Sequence, residues 1–221
     1  EHIYFARPDS VVFGESVAGV RRRLGERLAE EHPAEADLVV PVPDSGNFAA
    51  EGFAARSGIP LGHGFIRNHY VGRTFLQPTS DRRNLKARIK LNPLREVVAG
   101  KRIVVVDDSI VRGTTARDRV ALLRGAGARE VHLRVSCPPI RNPCYFGIDF
   151  PTRKELIANR LSIPRITARL GVDSLGYLSL EGMLACVSRP RADSCTACWS
   201  GKYPMPVTSE HAREAAKGKC G

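Results

Sequence analysis

Apolar residues recur at Val17, Val20, Leu24 and Leu28, on one face of a helix, while Arg21, Arg22, Arg23, Glu26 and Arg27 fall on the others. Ser16 stands in front as the cap, so the spacing predicts an amphipathic helix. The run from Asp37 to Val42 reads as a short buried strand, followed by the turn Pro43-Asp44-Ser45-Gly46 and a second helix ending at Ser57-Gly58-Ile59-Pro60. The clearest unit comes next. Arg102 to Val106 is a continuous apolar strand, Asp107 to Gly113 a polar loop, and Thr114 to Arg124 a helix closed by Gly125 and Gly127. Alternating Val131, Leu133 and Val135 supply another strand. Strands alternating with helices predict an α/β fold with a mainly parallel sheet flanked by helices, and a ligand site at the carboxyl ends of the strands.

Between Ile66 and Leu91 the periodicity fades into a basic stretch that reads as a mobile loop, either functional or a solvated linker. Beyond Pro151 the chain becomes shorter helices and turns, with a helix start at Ser162-Ile163-Pro164 and a strand or turn leading into a helix between Asp173 and Val187. The expected division is a core over 1–150 and a helical extension over 151–221 that carries a C-x-x-C and ends in a tail of Cys, Gly and Lys. No internal repeat is evident.

Composition narrows the function classes. Of 221 residues 43% are hydrophobic and 26% charged, which excludes low-complexity and fibrous roles. Lys and Arg number 34 against 23 Asp and Glu, a net charge of +11 that favours polyanionic partners: nucleic acid, anionic lipid or phosphorylated small molecules. No apolar run approaches the ~20 residues of a membrane span, and the N-terminus lacks a signal-peptide pattern. A cytoplasmic location is expected, where the six cysteines are reduced thiols or metal ligands. The sequence opens on Glu1 and enters at once on Ile3-Tyr4-Phe5, as a piece of a longer chain would.

The stretch from Val104 to Thr115, VVVDDSIVRGTT, carries the chemistry. Successive backbone N–H groups and Ser or Thr hydroxyls at a helix N-terminus hold a phosphomonoester well, the dipole adding ~0.5–1 kcal/mol. Gly113 lets the backbone approach closely. Carboxylates have the wrong sign for phosphate, so Asp107 and Asp108 suit vicinal ribose hydroxyls or a divalent cation. The ligand implied is a sugar phosphate with free hydroxyls and a metal. Neither G-x-x-x-x-G-K-[ST] nor G-x-G-x-x-G occurs, which argues against nucleotide hydrolysis on a P-loop and against a dinucleotide site.

This segment resembles the phosphoribosyl-pyrophosphate signature of type I phosphoribosyltransferases, and its variant Ser109 to Thr115 is similar to the glutamine phosphoribosylpyrophosphate amidotransferase family. Further matches are IYFARPDS (Ile3 to Ser10), PVPDSG (Pro41 to Gly46), YVGRTF (Tyr70 to Phe75), GIDFPTRKELIA (Gly147 to Ala158) and DSLGYLSLEG (Asp173 to Gly182). They cover nearly the whole chain and belong to the family's carboxyl-terminal half. The amino-terminal glutaminase domain, with its catalytic cysteine, has no counterpart among these residues.

The resemblance implies a type I phosphoribosyltransferase fold with a flexible flap over Arg67 to Lys90, in which Tyr70 and Arg73 are the recognisable catalytic residues. It implies that Asp107 and Asp108 bind the ribose hydroxyls and help hold Mg2+, with Ser45 as a further magnesium-site residue. Asp44, Ser45 and Gly46 would face the pyrophosphate, although as bare sequence the four residues are only a turn. Ser109, Ile110, Val111, Arg112, Gly113, Thr114 and Thr115 would cradle the 5-phosphate. The reaction implied is attack of ammonia on C1 of 5-phosphoribosyl 1-pyrophosphate, giving 5-phosphoribosylamine and pyrophosphate, the first step of de novo purine nucleotide synthesis. Purine-nucleotide inhibitors and a homo-oligomer are implied as partners. His69 and Arg67 stand where relatives commonly have Arg and Lys, and no role is carried to them.

Cys195-Thr196-Ala197-Cys198 by itself can bind metal, run redox chemistry or be two thiols in a turn. In the iron-sulfur branch of the family, cysteines matching Cys144, Cys195 and Cys198 hold a 4Fe-4S cluster with a fourth just before the IYFARPDS segment, which would fall upstream of Glu1. Zinc and ordinary thiols are the alternatives. Cys137, Cys186 and Cys220 read as core or tail thiols. A competing reading is a non-catalytic phosphoribosyl-pyrophosphate sensor that binds nucleic acid, which +11 would also suit. YVGRTF and the PDSG turn weigh against it, because a sensor has no leaving group to enclose, and no helix-turn-helix is evident. A salvage transferase acting on a purine base would need a base-recognition hood, and none is assignable.

Overall fold

A computed structural model of the chain describes residues 1–67, 91–148 and 152–208. A small antiparallel pair, β1 (Val11–Val12) and β2 (Glu15–Ser16), leads into α1 (Val17–Glu31). Ser16 caps that helix by accepting from the Gly19 N–H at 3.3 Å, and Val17, Val20, Leu24 and Leu28 form its buried face, as their spacing predicts. Next come β3 (Leu38–Pro41), α2 (Asn47–Ser57), and the strands β4 (Phe65–Arg67) and β5 (Leu91–Pro93). β4 and β5 pair antiparallel, Arg67 opposite Leu91, so the two ends of the basic stretch meet. The chain continues through α3 (Arg95–Val98), β6 (Arg102–Asp107), α4 (Thr114–Gly125) and β7 (Glu130–Val135), then α5 (Ile157–Arg160), α6 (Ile163–Leu170), β8 (Ser174–Tyr177), α7 (Leu180–Ala185) and α8 (Ala197–Ser200).

β3, β6, β7 and β8 form one parallel sheet in that order. Ile103 to Asp107 are buried without interruption, the pattern of a strand covered on both faces. The hydrophobic core spreads from this sheet to Leu24 and Leu28 on one side and Val120, Leu123 and Ile166 on the other. One expectation needs correction. The segment past 151 is not simply a helical extension, because Ser174–Tyr177 is the fourth strand of the sheet and pairs with His132 to Val135. Four residues containing a glycine are too short to announce a strand by periodicity, and their place is fixed by the neighbouring ladder. The boundary itself, at 150 and 151, lies outside the described residues. Among the described residues no helix is long and apolar enough to cross a membrane.

α1 and α2 pack at backbone distance. A Cβ on Gly25 would stand 1.8 Å from the Ala49 carbonyl oxygen, and one on Gly52 2.0 Å from that of Arg22. This contact sets α2 against the sheet and aims its N-terminus at the end of β6. Gly25→Ala should therefore cost about 1–3 kcal/mol by overpacking, read as a lowered unfolding midpoint of this half of the protein.

Candidate functional site

β3 and β6 are neighbours in register, Pro41 opposite Val106, so the chain leaves both strands at the same level. The Val42 N–H donates to the Val106 carbonyl at 2.9 Å, and the Gly46 N–H turns back to the Val42 carbonyl at 2.8 Å. A Cβ on Gly46 would lie 2.3 Å from the Val106 oxygen, so only glycine lets the Pro43–Gly46 turn rest against the end of β6. The Pro43–Asp44 peptide is cis. Asp44 is exposed and ion-paired with Arg67, while Ser45 faces Asp107.

Asp107 is 3% exposed at the end of β6. Its Oδ1 accepts from the Asp108 N–H at 3.0 Å and from the Ser45 hydroxyl at 3.4 Å, and its Oδ2 accepts from Arg119 Nη1 at 2.7 Å. Burial pushes this carboxyl above the ordinary range, and the Arg119 guanidinium pulls it back. Asp108 is pushed up to about 7, by burial first and by the neighbouring Asp107 charge second. It accepts the Ser109 hydroxyl at 3.0 Å, and among the described residues it makes no ion pair.

The loop that follows is held from behind. Ile110 is buried as its anchor, and the Ile157 N–H donates to the Val111 carbonyl at 2.9 Å. Gly113 adopts φ +79°, and a Cβ there would meet Ile157 Cδ1 at 2.6 Å. Ser45, Asp107 to Ala116, and Arg119 enclose a hollow of ≈ 240 Å³. α2 and α4 both begin at its edge, so two positive helix ends converge on it. With two acids on one side and a loop of backbone donors and exposed Thr114 and Thr115 on the other, it suits a phosphorylated polyol.

Most sequence-predicted residues meet here: Ser45, Asp107, Asp108 and the whole run Ser109 to Thr115 line the hollow. Asp44 and Gly46 do not, the first turning to Arg67 and the second buried under the turn. Arg112 borders the hollow, yet its side chain is engaged by Glu155, Nε to Oε1 at 3.1 Å. Tyr70, Arg73 and His69 lie outside the described residues. Arg119 was not anticipated. The signal was present, since Ala116, Arg119, Val120 and Leu123 share one helical stripe, and a cation on an apolar stripe needs a buried partner.

The cysteines are gathered only in part. Cys144 is drawn down to about 5 by its hydrogen bond with Cys198, and that bond first and burial second raise Cys198, whose sulfur lies 3.2 Å from the Tyr4 hydroxyl. Cys195 is exposed, along a separate hollow that it shares with Glu1 and His2. Among the described residues no three His, Cys, Asp or Glu side chains are grouped to hold a metal ion. Cys137 and Cys186 are buried core thiols, and Cys220 lies outside the described residues.

The family profile described as "Phosphoribosyl transferase domain" matches residues 14–149. An amidophosphoribosyltransferase of Methanothermobacter thermautotrophicus is 51% identical over 220 residues, covering 100% of this chain and 46% of the relative. One from Synechococcus elongatus is 55% identical over 210 residues, 95% of this chain and 43% of the relative. The chain spans about half the length of the curated relatives it matches. Among solved structures, one described as the allosteric regulatory enzyme of purine biosynthesis aligns with TM-score 0.86 at 50% identity, over 95% of this chain and 46% of that one. The B. subtilis glutamine phosphoribosylpyrophosphate amidotransferase, complexed with ADP and GMP, gives 0.85 at 50% identity, over 95% and 47%.

The pKa of Asp108 gives a signed expectation. A carboxyl at about 7 when folded and about 3.9 when unfolded binds more protons in the folded chain, so stability falls as pH rises through that window. Asp108→Asn removes this contribution. The ligand-free variant should melt above the parent at about pH 8, with the gap closing below about pH 4, in thermal unfolding followed across pH.

Proposed function

This chain belongs to the phosphoribosyl transferase family and has its type I fold, and on that premise we propose that it is the phosphoribosyltransferase half of an amidophosphoribosyltransferase. The reaction is 5-phosphoribosyl 1-pyrophosphate with ammonia, released from glutamine by an amino-terminal glutaminase domain, to 5-phosphoribosylamine and pyrophosphate. The observation that carries the reading is the hollow itself, where an acid pair at a strand end stands across from an amide-lined loop, in a chain matched over 95% or more of its length by relatives bearing that enzyme name. Purine-nucleotide inhibitors, a homo-oligomer and a cytoplasmic location belong to the same proposal.

Each residue has a task in it. The amides of Ser109 to Thr115 and the α4 N-terminus hold the 5-phosphate, fixing the sugar by its far end. Asp108 accepts from the ribose hydroxyls and orients the ring, and its charge lies where positive character grows at C1 as the pyrophosphate departs. Ser45, carried into the hollow by the Pro43–Gly46 turn, faces the leaving group. Little proton transfer is demanded, since ammonia is nucleophilic and pyrophosphate departs as an anion, so positioning and the exclusion of water matter most. An ion-unpaired carboxylate with a raised pKa beside a second acid and a serine hydroxyl fits a divalent cation. Ser45, Asp107 and Asp108 would hold Mg2+, which supplies charge neutralisation for the pyrophosphate.

Cys144, Cys195 and Cys198 offer soft sulfur donors, two of them already in contact, and we propose that they would hold a 4Fe-4S cluster with a fourth thiolate from outside this sequence. Such a cluster supplies a cross-link that ties α8 to the loop bearing Cys144. Iron and sulfide analysis of anaerobically purified full-length protein should find about four irons per chain, and Cys198→Ser should lose them.

The enzymatic reading is tested by pyrophosphate release from 5-phosphoribosyl 1-pyrophosphate and ammonium salt by the full-length protein. The parent should turn over, and Asp108→Ala should lower kcat/KM by roughly 10²–10³-fold. A parent that binds the substrate yet releases no pyrophosphate would support the sensor instead.

A further inference from the structure

The two acids are not equivalent. Asp107 has both oxygens engaged by the protein, Oδ1 by the Asp108 N–H and the Ser45 hydroxyl and Oδ2 by Arg119. That leaves about one of a carboxylate's four acceptor positions. Asp108 has the hydroxyl of its neighbour Ser109 on Oδ1 and, among the described residues, no cation within ion-pair reach. Arg119 lies one turn beyond Thr115 on α4, at a core-facing position between Ala116 and Leu123. Long helical side chains lean back toward the N-terminus, so its guanidinium arrives at the start of the helix, where the loop is. It also lines a larger hollow of ≈ 800 Å³ beside α4, with Leu91, Arg95 and Leu122, and so stands between that space and Asp107.

We infer that Arg119 is a positioning residue for the sugar-phosphate reaction: by occupying Oδ2 of Asp107 it makes that carboxylate a fixed support, and leaves Asp108 as the acid that meets the sugar. Toward the sugar, Asp107 then acts through its grip on the Asp108 N–H, which fixes the backbone on which the second carboxylate turns, and its one remaining acceptor position is left for the cation. Neither the motif nor the family resemblance points to Arg119. The inference rests on the reading that this hollow takes 5-phosphoribosyl 1-pyrophosphate.

The test uses the full-length protein with 5-phosphoribosyl 1-pyrophosphate varied at saturating ammonia. Arg119→Met should raise KM for that substrate by roughly 10- to 100-fold while kcat stays within about 3-fold, because a displaced acid weakens the grip on the sugar before and during reaction. Arg119→Lys, which keeps the charge, should return KM to within about 3-fold of the parent. A merely structural role would lower the melting temperature and the active fraction, and KM does not depend on the active fraction. If Arg119→Met does not fold, Arg119→Gln takes its place, with KM raised at least about 5-fold. A neutral variant with the parent's KM, or a Lys variant as impaired as the neutral one, overturns the inference. A parent without activity would instead overturn the proposed reaction.

Discussion

A carboxylate buried at the end of a central strand is the constraint on which the rest of this structure turns. Asp107 is 3% exposed, and an uncompensated charge at such depth would cost several kcal/mol. Three donors answer it: the N–H of the next residue, a hydroxyl from the neighbouring strand's turn, and a guanidinium from the following helix. Each fixes a different element, so compensating one charge also locates the Pro43–Gly46 turn, the start of the 109–113 loop and the first turns of α4. The crevice between the strand ends is what those placements leave.

Much of this was legible in the sequence, and the reasons differ by element. The stripe of Val17, Val20, Leu24 and Leu28 specified α1 because only one helix face is buried. The unbroken apolar run Arg102 to Val106 specified a continuous strand, which the structure extends by one residue to the buried Asp107, and the two acids followed by Gly113 and the threonines specified the loop. β8 was harder to read, since four residues around Gly176 hold their place through pairing with β7. Arg112 shows where residue type misleads. A cation in a phosphate loop invites a phosphate contact, yet its side chain pairs with Glu155. Arg119 lay hidden in a helix pattern that reads as ordinary until the cation on its apolar stripe is asked for a partner.

The charge excess divides in a similar way. Arg22, Arg23 and Arg27 on α1 are paired with Glu51, Glu15 and Glu31, so this basic cluster is a set of structural bridges with little net field. Exposed pairs of this kind contribute little individually. Arg21 is different. It is buried, donates to the carbonyls of His2 and Ala6 at 2.9 Å each, and feels the charge of Asp108. Two arginines on the inward faces of two helices thus bracket the acid pair, Arg119 in contact with one member and Arg21 at longer range from the other. The segment that opens the chain is thereby tied to the same site.

The proposed reaction depends on a sugar phosphate lying between the acids and the loop with a defined polarity. A crystal structure of the full-length protein with a non-hydrolysable carbocyclic analogue of 5-phosphoribosyl 1-pyrophosphate measures this directly. The 5-phosphate should lie against the amides of Ser109 to Thr115 and the ring hydroxyls on Asp108, with Arg119 still on Asp107. An analogue bound the other way round, with its hydroxyls remote from Asp108, or seated elsewhere on the protein, would contradict it.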